Sequence, residues 1–169
     1  PLVVYFYPKA DTPGCTNEAR DFTALADDYA AAGVPVIGIS KDKPAKLKKF
    51  SEKYGLSVIL ASDEPGEACA AFGTWVEKSL YGRKYMGIER STFLFDAQGT
   101  LQRVWPKVKV KGHAAEVLEA FIGQFYDTRE PPRQLILSND IESPDLMVEA
   151  LSGKLGRKVD IVVPKRGEK

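Results

Sequence analysis

The chain has little of several residue types on which protein function often depends. Its 169 residues include two cysteines, one histidine, two methionines and two tryptophans. Two cysteines in a chain of this length do not build a disulfide scaffold. The cysteine and histidine clusters that hold zinc are missing, and so is a glycine-rich phosphate loop. We therefore expect neither a metal nor an organic cofactor.

Excess charge and long apolar runs are also missing. Lys and Arg number 24 against 23 for Asp and Glu, so no strong field favours nucleic acid or a membrane surface as a partner. No apolar run is long enough to span a membrane, and no signal-peptide pattern is present. These features, with the low cysteine content, predict a cytoplasmic protein.

The chain is long enough to bury one sizeable core and short for two independent domains. Its first strong signal is the apolar run from 2 to 7, which is rich in β-branched and aromatic residues and predicts a buried strand. Residues 15–32 follow with helical spacing of apolar side chains. Between the two, Thr12 suits the helix N-cap and Pro13 the first helical position.

Cys15 would then lie in the first turn of this helix. The unpaired amide groups and the positive end of the helix dipole favour a thiolate over a thiol there. A cysteine in this position is poised to attack an electrophile. The alternative is a small buried apolar residue, which is the commoner state of an unpaired cysteine.

The rest of the first 126 residues predicts an α/β fold, with parallel strands where a helix connects them. We expect strands over 34–40 and 58–61, a helix over 42–54, a short helix within 62–72, loop with extended pieces over 74–89, a hairpin over 91–105 and a helix over 113–126.

The residues around Cys15 resemble the active-site signature of peroxiredoxins, specifically the bacterioferritin-comigratory or PrxQ type. The resemblance covers about residues 2 to 122. It rests on Phe6, Tyr7, Pro8, Thr12, Pro13, Gly14, Cys15, Thr16 and Glu18, and continues through Trp75, Glu77, Lys78, Tyr85, Met86, Gly87, Ile88, Arg90, Ser91, Thr92, Phe93, Asp96, Lys109, Lys111, Gly112 and His113. It implies a thioredoxin-like core and a thiol-dependent peroxidase.

The family pattern implies a role for four residues of this chain. Cys15 becomes the peroxidatic cysteine, Thr12 supplies a hydroxyl to the bound peroxide, Pro8 shields the site and Arg90 supplies a guanidinium. Thr12 could also cap the helix, and Arg90 could be an ordinary surface arginine. Against the latter, Arg90 adjoins a buried strand signal, where an unpaired charge is costly and a thiolate partner would stabilise it.

Other titratable residues carry weaker signals. Glu18 is as compatible with compensating the helix dipole as with organising the site, so it stays outside the catalytic set. Cys69 is better explained by core packing than by resolution of the oxidised Cys15. Many PrxQ proteins carry the resolving cysteine five positions after the peroxidatic one, and here that position is Arg20. We expect His113 to cap a helix and not to bind metal.

The composition changes after Tyr126. Residues 127–132 predict a polar, proline-broken linker, followed by a strand over 134–138, a helix from 144 and a strand over 159–163. From about 121 to 169 the chain resembles part of the C component of excinuclease ABC, in a segment without that family's nuclease carboxylates. Residues 130–169 contain seven basic and seven acidic side chains, which argues against nucleic-acid binding by the tail.

We therefore expect a chimera joined near residues 117–126. Residues 1–126 would form a thioredoxin-like peroxiredoxin core, and residues 127–169 a βαβ segment that extends the central sheet or packs on it. The stretch that PrxQ proteins carry before Phe6 is missing, so a trimmed, processed or engineered chain is expected. The predicted function is reduction of hydrogen peroxide or organic hydroperoxides, with an external thiol such as thioredoxin or glutaredoxin as reductant. The alternative is a non-catalytic scaffold that retains the motif.

Overall fold

A five-stranded mixed sheet lies at the centre of the fold. The computed structural model describes residues 1–127, 129–137 and 140–164. The strands are β1 (Leu2–Phe6), β2 (Val36–Ser40), β3 (Ile59–Ser62), β4 (Trp75–Leu80), β5 (Arg83–Ile88), β6 (Ser91–Phe95), β7 (Leu101–Trp105), β8 (Gln134–Ile136) and β9 (Asp160–Val162). The helices are α1 (Pro13–Ala24), α2 (Ala26–Ala31), α3 (Pro44–Tyr54), α4 (Glu67–Ala71), α5 (His113–Phe125) and α6 (Pro144–Leu155).

The central sheet has the strand order β3-β2-β1-β6-β7. Strands β1, β2 and β3 are parallel, as the intervening helices predict, whereas β6 and β7 run antiparallel to their neighbours. The predicted α/β class, with flanking helices around a mixed sheet, is confirmed.

Successive side chains of β1 point to opposite faces of the sheet, so each face has its own part of the core. Tyr5 points to the face covered by α1 and α5, where its ring stacks on Phe22 at 4.8 Å between centroids. Phe6 points to the opposite face, where it packs with Phe93 and buries Cys69. β1 is therefore buried on both faces of the sheet, as the unbroken apolar run from 2 to 7 predicts.

One local expectation was wrong and another was incomplete. The helix predicted over 15–32 is divided at Leu25, which lies between α1 and α2 with φ −96° and ψ 8°. The segment over 74–89, predicted as loop with extended pieces, is ordered more fully, as a separate antiparallel hairpin of β4 and β5. Its turn residues Tyr81 and Gly82 both have positive φ, at 48° and 75°, as a two-residue hairpin turn requires.

The tail forms the expected parallel βαβ unit, but its strands do not extend the central sheet. Among the described residues β8 and β9 pair with each other. Leu137 and Ile141 join the core cluster that contains Val117 and Phe121 of α5. The last predicted residue of the first tail strand, Ser138, lies outside the described residues. Nowhere in the described part of the chain is a helix both long and apolar enough to cross a membrane.

His113 was expected to cap α5, but the N-cap is Gly112 and the imidazole is buried in the core. The side chain is 3% exposed, and its Nε2 lies 2.7 Å from the Thr92 hydroxyl. Burial lowers the pKa of His113 from 6.5 to about 4, although Glu116 opposes the shift. The native protein therefore holds this imidazole neutral.

We expect His113 to make the protein less stable as the pH falls from about 6.5 to about 4. Over this window the imidazole is protonated in the unfolded chain but not in the native protein. This lowers the free energy of unfolding by up to about 3 kcal/mol. Urea unfolding at a series of pH values should show the parent losing up to about 3 kcal/mol of stability relative to His113→Gln over this window, a comparison in which the opposite contribution of Glu18 cancels. Because the chain has a single histidine, identical slopes would contradict this assignment.

Candidate active site

Cys15 lies in the first turn of α1, directly after the loop that leaves β1. Thr12 is the N-cap residue, and its carbonyl accepts the first helical hydrogen bond from the Thr16 amide at 2.8 Å. The Cys15 side chain is 2% exposed. The sulfur is thus held beside the unpaired amide groups of a helix start.

Arg90 reaches this sulfur from the segment between β5 and β6. Its Nη2 donates to Cys15 Sγ at 3.3 Å, and its Nη1 donates to Glu18 Oε2 at 2.5 Å. One guanidinium therefore bridges two side chains three residues apart on α1. The guanidinium is thus held in contact with the sulfur by its second bond to Glu18.

Glu18 is the site residue whose importance the sequence understated. It is 1% exposed, and burial raises the pKa of its carboxyl to about 7 against the opposing effect of Arg90. Its other oxygen, Oε1, has no hydrogen-bond partner among the described residues. The spacing of three from Cys15 places both side chains on the same helix face, so the pairing was accessible from the sequence.

Gly14 leaves the space that Arg90 occupies. A Cβ atom at this position would lie 3.2 Å from Arg90 Nη2, closer than most carbon contacts. A larger residue here would therefore require the guanidinium to shift by a few tenths of an ångström.

The loop before α1 is fixed from two sides. The Ala10 amide donates to Asp42 Oδ2 at 2.7 Å, and Asp11, at φ 62°, binds Lys53 at 3.0 Å and the Tyr54 hydroxyl at 2.7 Å. These contacts hold the loop against the end of β2 and against α3. The geometry of the first turn of α1 is consequently set before any ligand binds.

Thr12 and Pro8 also lie in this loop. Thr12 Oγ1 donates to the Lys9 carbonyl at 2.8 Å, so the expected side-chain cap on the helix amides is not formed. Pro8 is exposed and lines a groove between the loop and the β4–β5 hairpin. Of the four predicted site residues, Cys15 and Arg90 are in direct contact.

Residues 1–104 match the AhpC/TSA family, which is more than half of the chain. The chain belongs to this family. It is a thiol-dependent peroxidase, because the relatives that it matches over about three quarters of their length are peroxiredoxins.

Peroxiredoxin Bcp of Bacillus subtilis is 48% identical over 118 residues, which are 70% of this chain and 75% of that protein. Peroxiredoxin Bcp of Escherichia coli is 48% identical over 117 residues, 69% of this chain and 75% of that protein. A solved structure of the Xanthomonas campestris bacterioferritin comigratory protein, studied for alkyl peroxide reduction, is 45% identical with a TM-score of 0.70. It covers 73% of this chain and 78% of that one, and the thioredoxin-like peroxiredoxin fold is thereby confirmed.

A second family also matches. Residues 58–169 match the UvrC ribonuclease H-like domain. The two matches overlap over 58–104, where the chain forms strands of the peroxiredoxin sheet. The residues that only the second family covers are 105–169, and these include the tail.

The second cysteine of this peroxiredoxin lies on the other side of the sheet. Cys69 is fully buried with Phe6 and Phe93, and its amide donates to Asp63 Oδ2 at 2.8 Å. Burial raises the pKa of its thiol to about 11, and the neighbouring Asp63 adds to the shift. Cys69 thus has the character of a core residue. Arg20 is exposed on α1.

The described residues contain no group of three or more His, Cys, Asp and Glu side chains that could hold a metal ion.

Proposed function

We propose that Cys15 is the peroxidatic cysteine of this peroxiredoxin. The contact between Arg90 and the sulfur at a helix start is the observation that supports this most strongly. The thiolate attacks the terminal peroxide oxygen, a sulfur–oxygen bond forms and the oxygen–oxygen bond breaks. The sulfur is oxidised to a sulfenic acid, and the departing oxygen takes a proton and leaves as water or alcohol.

The other site residues would act on the peroxide as it reacts. Arg90 would stabilise both the thiolate and the charge that develops on the departing oxygen. The Thr12 hydroxyl would donate to a peroxide oxygen, for which it must turn away from the Lys9 carbonyl. Pro8, at the rim of the site, would limit the access of water. Glu18 would fix the orientation of Arg90 through its ion pair.

The sulfenic acid would be reduced by an external thiol such as thioredoxin or glutaredoxin. Position 20 carries arginine where many PrxQ proteins have a resolving cysteine, and Cys69 is buried on the opposite face of the sheet from Cys15. A disulfide requires Cα atoms within about 7 Å, so a bond between these two cysteines would need local unfolding.

One equivalent of hydrogen peroxide should therefore convert Cys15 to a sulfenic acid and form little Cys15–Cys69 disulfide. The test is a non-reducing peptide map after trapping with a sulfenic-acid reagent. A trapped adduct confined to Cys15 would support both proposals. A quantitative disulfide would make Cys69 the resolving residue, and an unmodified Cys15 after peroxide exposure would contradict the peroxidatic role itself.

We also propose that the chain is a chimera, with residues 1–126 as the peroxiredoxin core and 127–169 as an excinuclease-like segment packed on it. The match of one family from the start of the chain and of a second family to residue 169 supports a chimeric origin. The cytoplasm is the compartment that fits best, because a peroxidase of this kind needs a reducing thiol to complete its cycle.

A further inference from the structure

The departing oxygen of the peroxide must take up a proton when Cys15 is oxidised. As the oxygen–oxygen bond breaks, this oxygen acquires the charge of a hydroxide or an alkoxide, and the pKa of water is about 15.7. A side chain that donates a proton at this moment raises the rate by about 10²- to 10⁴-fold. Such a donor must lie near Cys15 and hold a proton that it can give up.

The two charged side chains bonded to each other in the site, Arg90 and Glu18, are poorly suited to this step. Burial opposes it, but Glu18 and Cys15 raise the pKa of the Arg90 guanidinium, and a guanidinium is not deprotonated in proteins. Glu18 Oε2 accepts from Arg90 Nη1, which is not the nitrogen that contacts the sulfur. Glu18 thus meets Arg90 as an acceptor.

Lys78, on β4, is a third charged side chain of this region. It pairs across the hairpin with Tyr85, and Gly87 lies two residues further along β5 towards Arg90. The Lys78 Cδ and Cε atoms lie 3.3 Å and 3.6 Å from the place that a Cβ atom of Gly87 would occupy. The lysine side chain therefore leans over Gly87, towards the end of the hairpin that leads to Arg90.

Lys78 differs from the other cations of the hairpin in its surroundings. It is half-buried and lines the groove beside Pro8, whereas Arg83 and Lys84 are exposed. Within the described ranges 1–127, 129–137 and 140–164, Lys78 forms no ion pair within 4.0 Å. No carboxylate of these ranges therefore holds the ammonium in its charged form.

The electrostatic surroundings of Lys78 favour the release of its proton. Burial, followed by the charge of Arg90, lowers the pKa of Lys78, while Glu89 and Cys15 act in the opposite direction. Lys78 is thus within electrostatic range of both Arg90 and Cys15. A lower pKa makes the ammonium a stronger acid towards a departing hydroxide or alkoxide.

The other charged side chains of the groove do not reverse this effect. Lys9 is exposed, and the Lys41 ammonium lies over the ring of Trp75. Asp42 is already engaged in an ion pair with a lysine of α3. Lys78 is therefore the lysine of this groove that is directed towards the reactive centre.

We propose that Lys78 is the general acid of peroxide reduction. The Cys15 sulfur gives an electron pair to the terminal oxygen, the oxygen–oxygen bond breaks, and the Lys78 ammonium passes a proton to the departing oxygen. Water or an alcohol leaves, and the neutral amine recovers its proton from solvent. This inference rests on the proposed function, because it adds a catalytic residue to the same reaction.

The test compares hydrogen peroxide with peroxyacetic acid as oxidants of Cys15. Acetate is a weak base and departs without a proton, whereas hydroxide must be protonated. Lys78→Gln should lower the second-order rate constant of Cys15 oxidation about 100-fold with hydrogen peroxide and less than about three-fold with peroxyacetic acid. The oxidation is followed by rapid mixing, quenching with a sulfenic-acid reagent and mass spectrometry.

Lys78→Arg separates proton donation from a purely electrostatic effect. Arginine keeps the positive charge but does not give up a proton, so this variant should be as slow with hydrogen peroxide as Lys78→Gln. Recovery of the parent rate in Lys78→Arg would overturn the proposal. An equal loss with both oxidants, or no loss with either, would do the same.

Lys41→Gln and Lys84→Gln are the matched controls. Lys41 lines the same groove, but its ammonium lies 4.2 Å from the centre of the Trp75 ring. Lys84 is on the same hairpin, pairs with Glu77 at 3.5 Å and does not line the groove. Both variants should keep the parent ratio of the two rate constants. A selective loss with hydrogen peroxide in both controls would assign the effect to the general field of the protein and overturn the role of Lys78.

The parent protein separates failure of this inference from failure of the proposed function. Absence of Cys15 oxidation by either peroxide in the parent would contradict the proposed function. Oxidation of Cys15 in the parent, without the selective loss in Lys78→Gln, would contradict the general acid alone.

Discussion

Replacing Cys15 by serine should abolish peroxide reduction while the fold remains intact. The change substitutes one oxygen for one sulfur in a side chain that is already buried, so little packing is lost. A serine hydroxyl is scarcely ionised near neutral pH, and Arg90 would then face a poor nucleophile. Peroxide consumption with a dithiol reductant should fall to the uncatalysed background.

Cys69→Ser is the matched control for this experiment. It makes the same atomic change in the second buried cysteine, on the other side of the sheet. We expect this variant to keep its peroxidase activity with an external dithiol and to lose some stability, because a hydroxyl enters an apolar cluster. Equal rates of peroxide consumption for Cys15→Ser and the parent would contradict the assignment of Cys15 as the peroxidatic cysteine.

The first half of the fold was predictable because its elements carry strong local signals. The apolar run of β1, the turn before α1 and the glycine at position 55, which ends α3 at φ 59°, each specify one local structure. The hairpin of β4 and β5 was missed because its residues are mostly exposed. Without a buried face, these strands show no regular alternation of apolar and polar residues.

The part of the candidate site formed by neighbours in the sequence was predictable from those residues. The part that depends on distant residues was less predictable. Cys15 could be placed at a helix start from neighbouring residues alone. Arg90 is 75 positions away, and its contact with the sulfur was expected from the family motif and the cost of an unpaired charge. The groove beside Pro8 is lined by the hairpin whose pairing was missed, so it could not be assembled from sequence patterns.

The tail should unfold together with the peroxiredoxin part, and Leu151→Ala on α6 tests this. Leu151 is 2% exposed, and removal of a buried leucine side chain costs about 2–5 kcal/mol. Both tryptophans, Trp75 and Trp105, precede the tail. Tryptophan fluorescence therefore reports on the peroxiredoxin part alone, whereas far-UV circular dichroism reports on the whole chain.

In one cooperative unit the variant must lower both denaturation midpoints by the same amount. Leu146→Ala on the same helix is the control, since Leu146 is 68% exposed and its loss should change stability by no more than about 0.5 kcal/mol. An unchanged fluorescence midpoint in Leu151→Ala would mean that the tail unfolds alone. We expect coupling, because Leu137 and Ile141 of the tail share a core cluster with Val117 and Phe121 of α5. About forty residues have too small a core to remain folded without that contact.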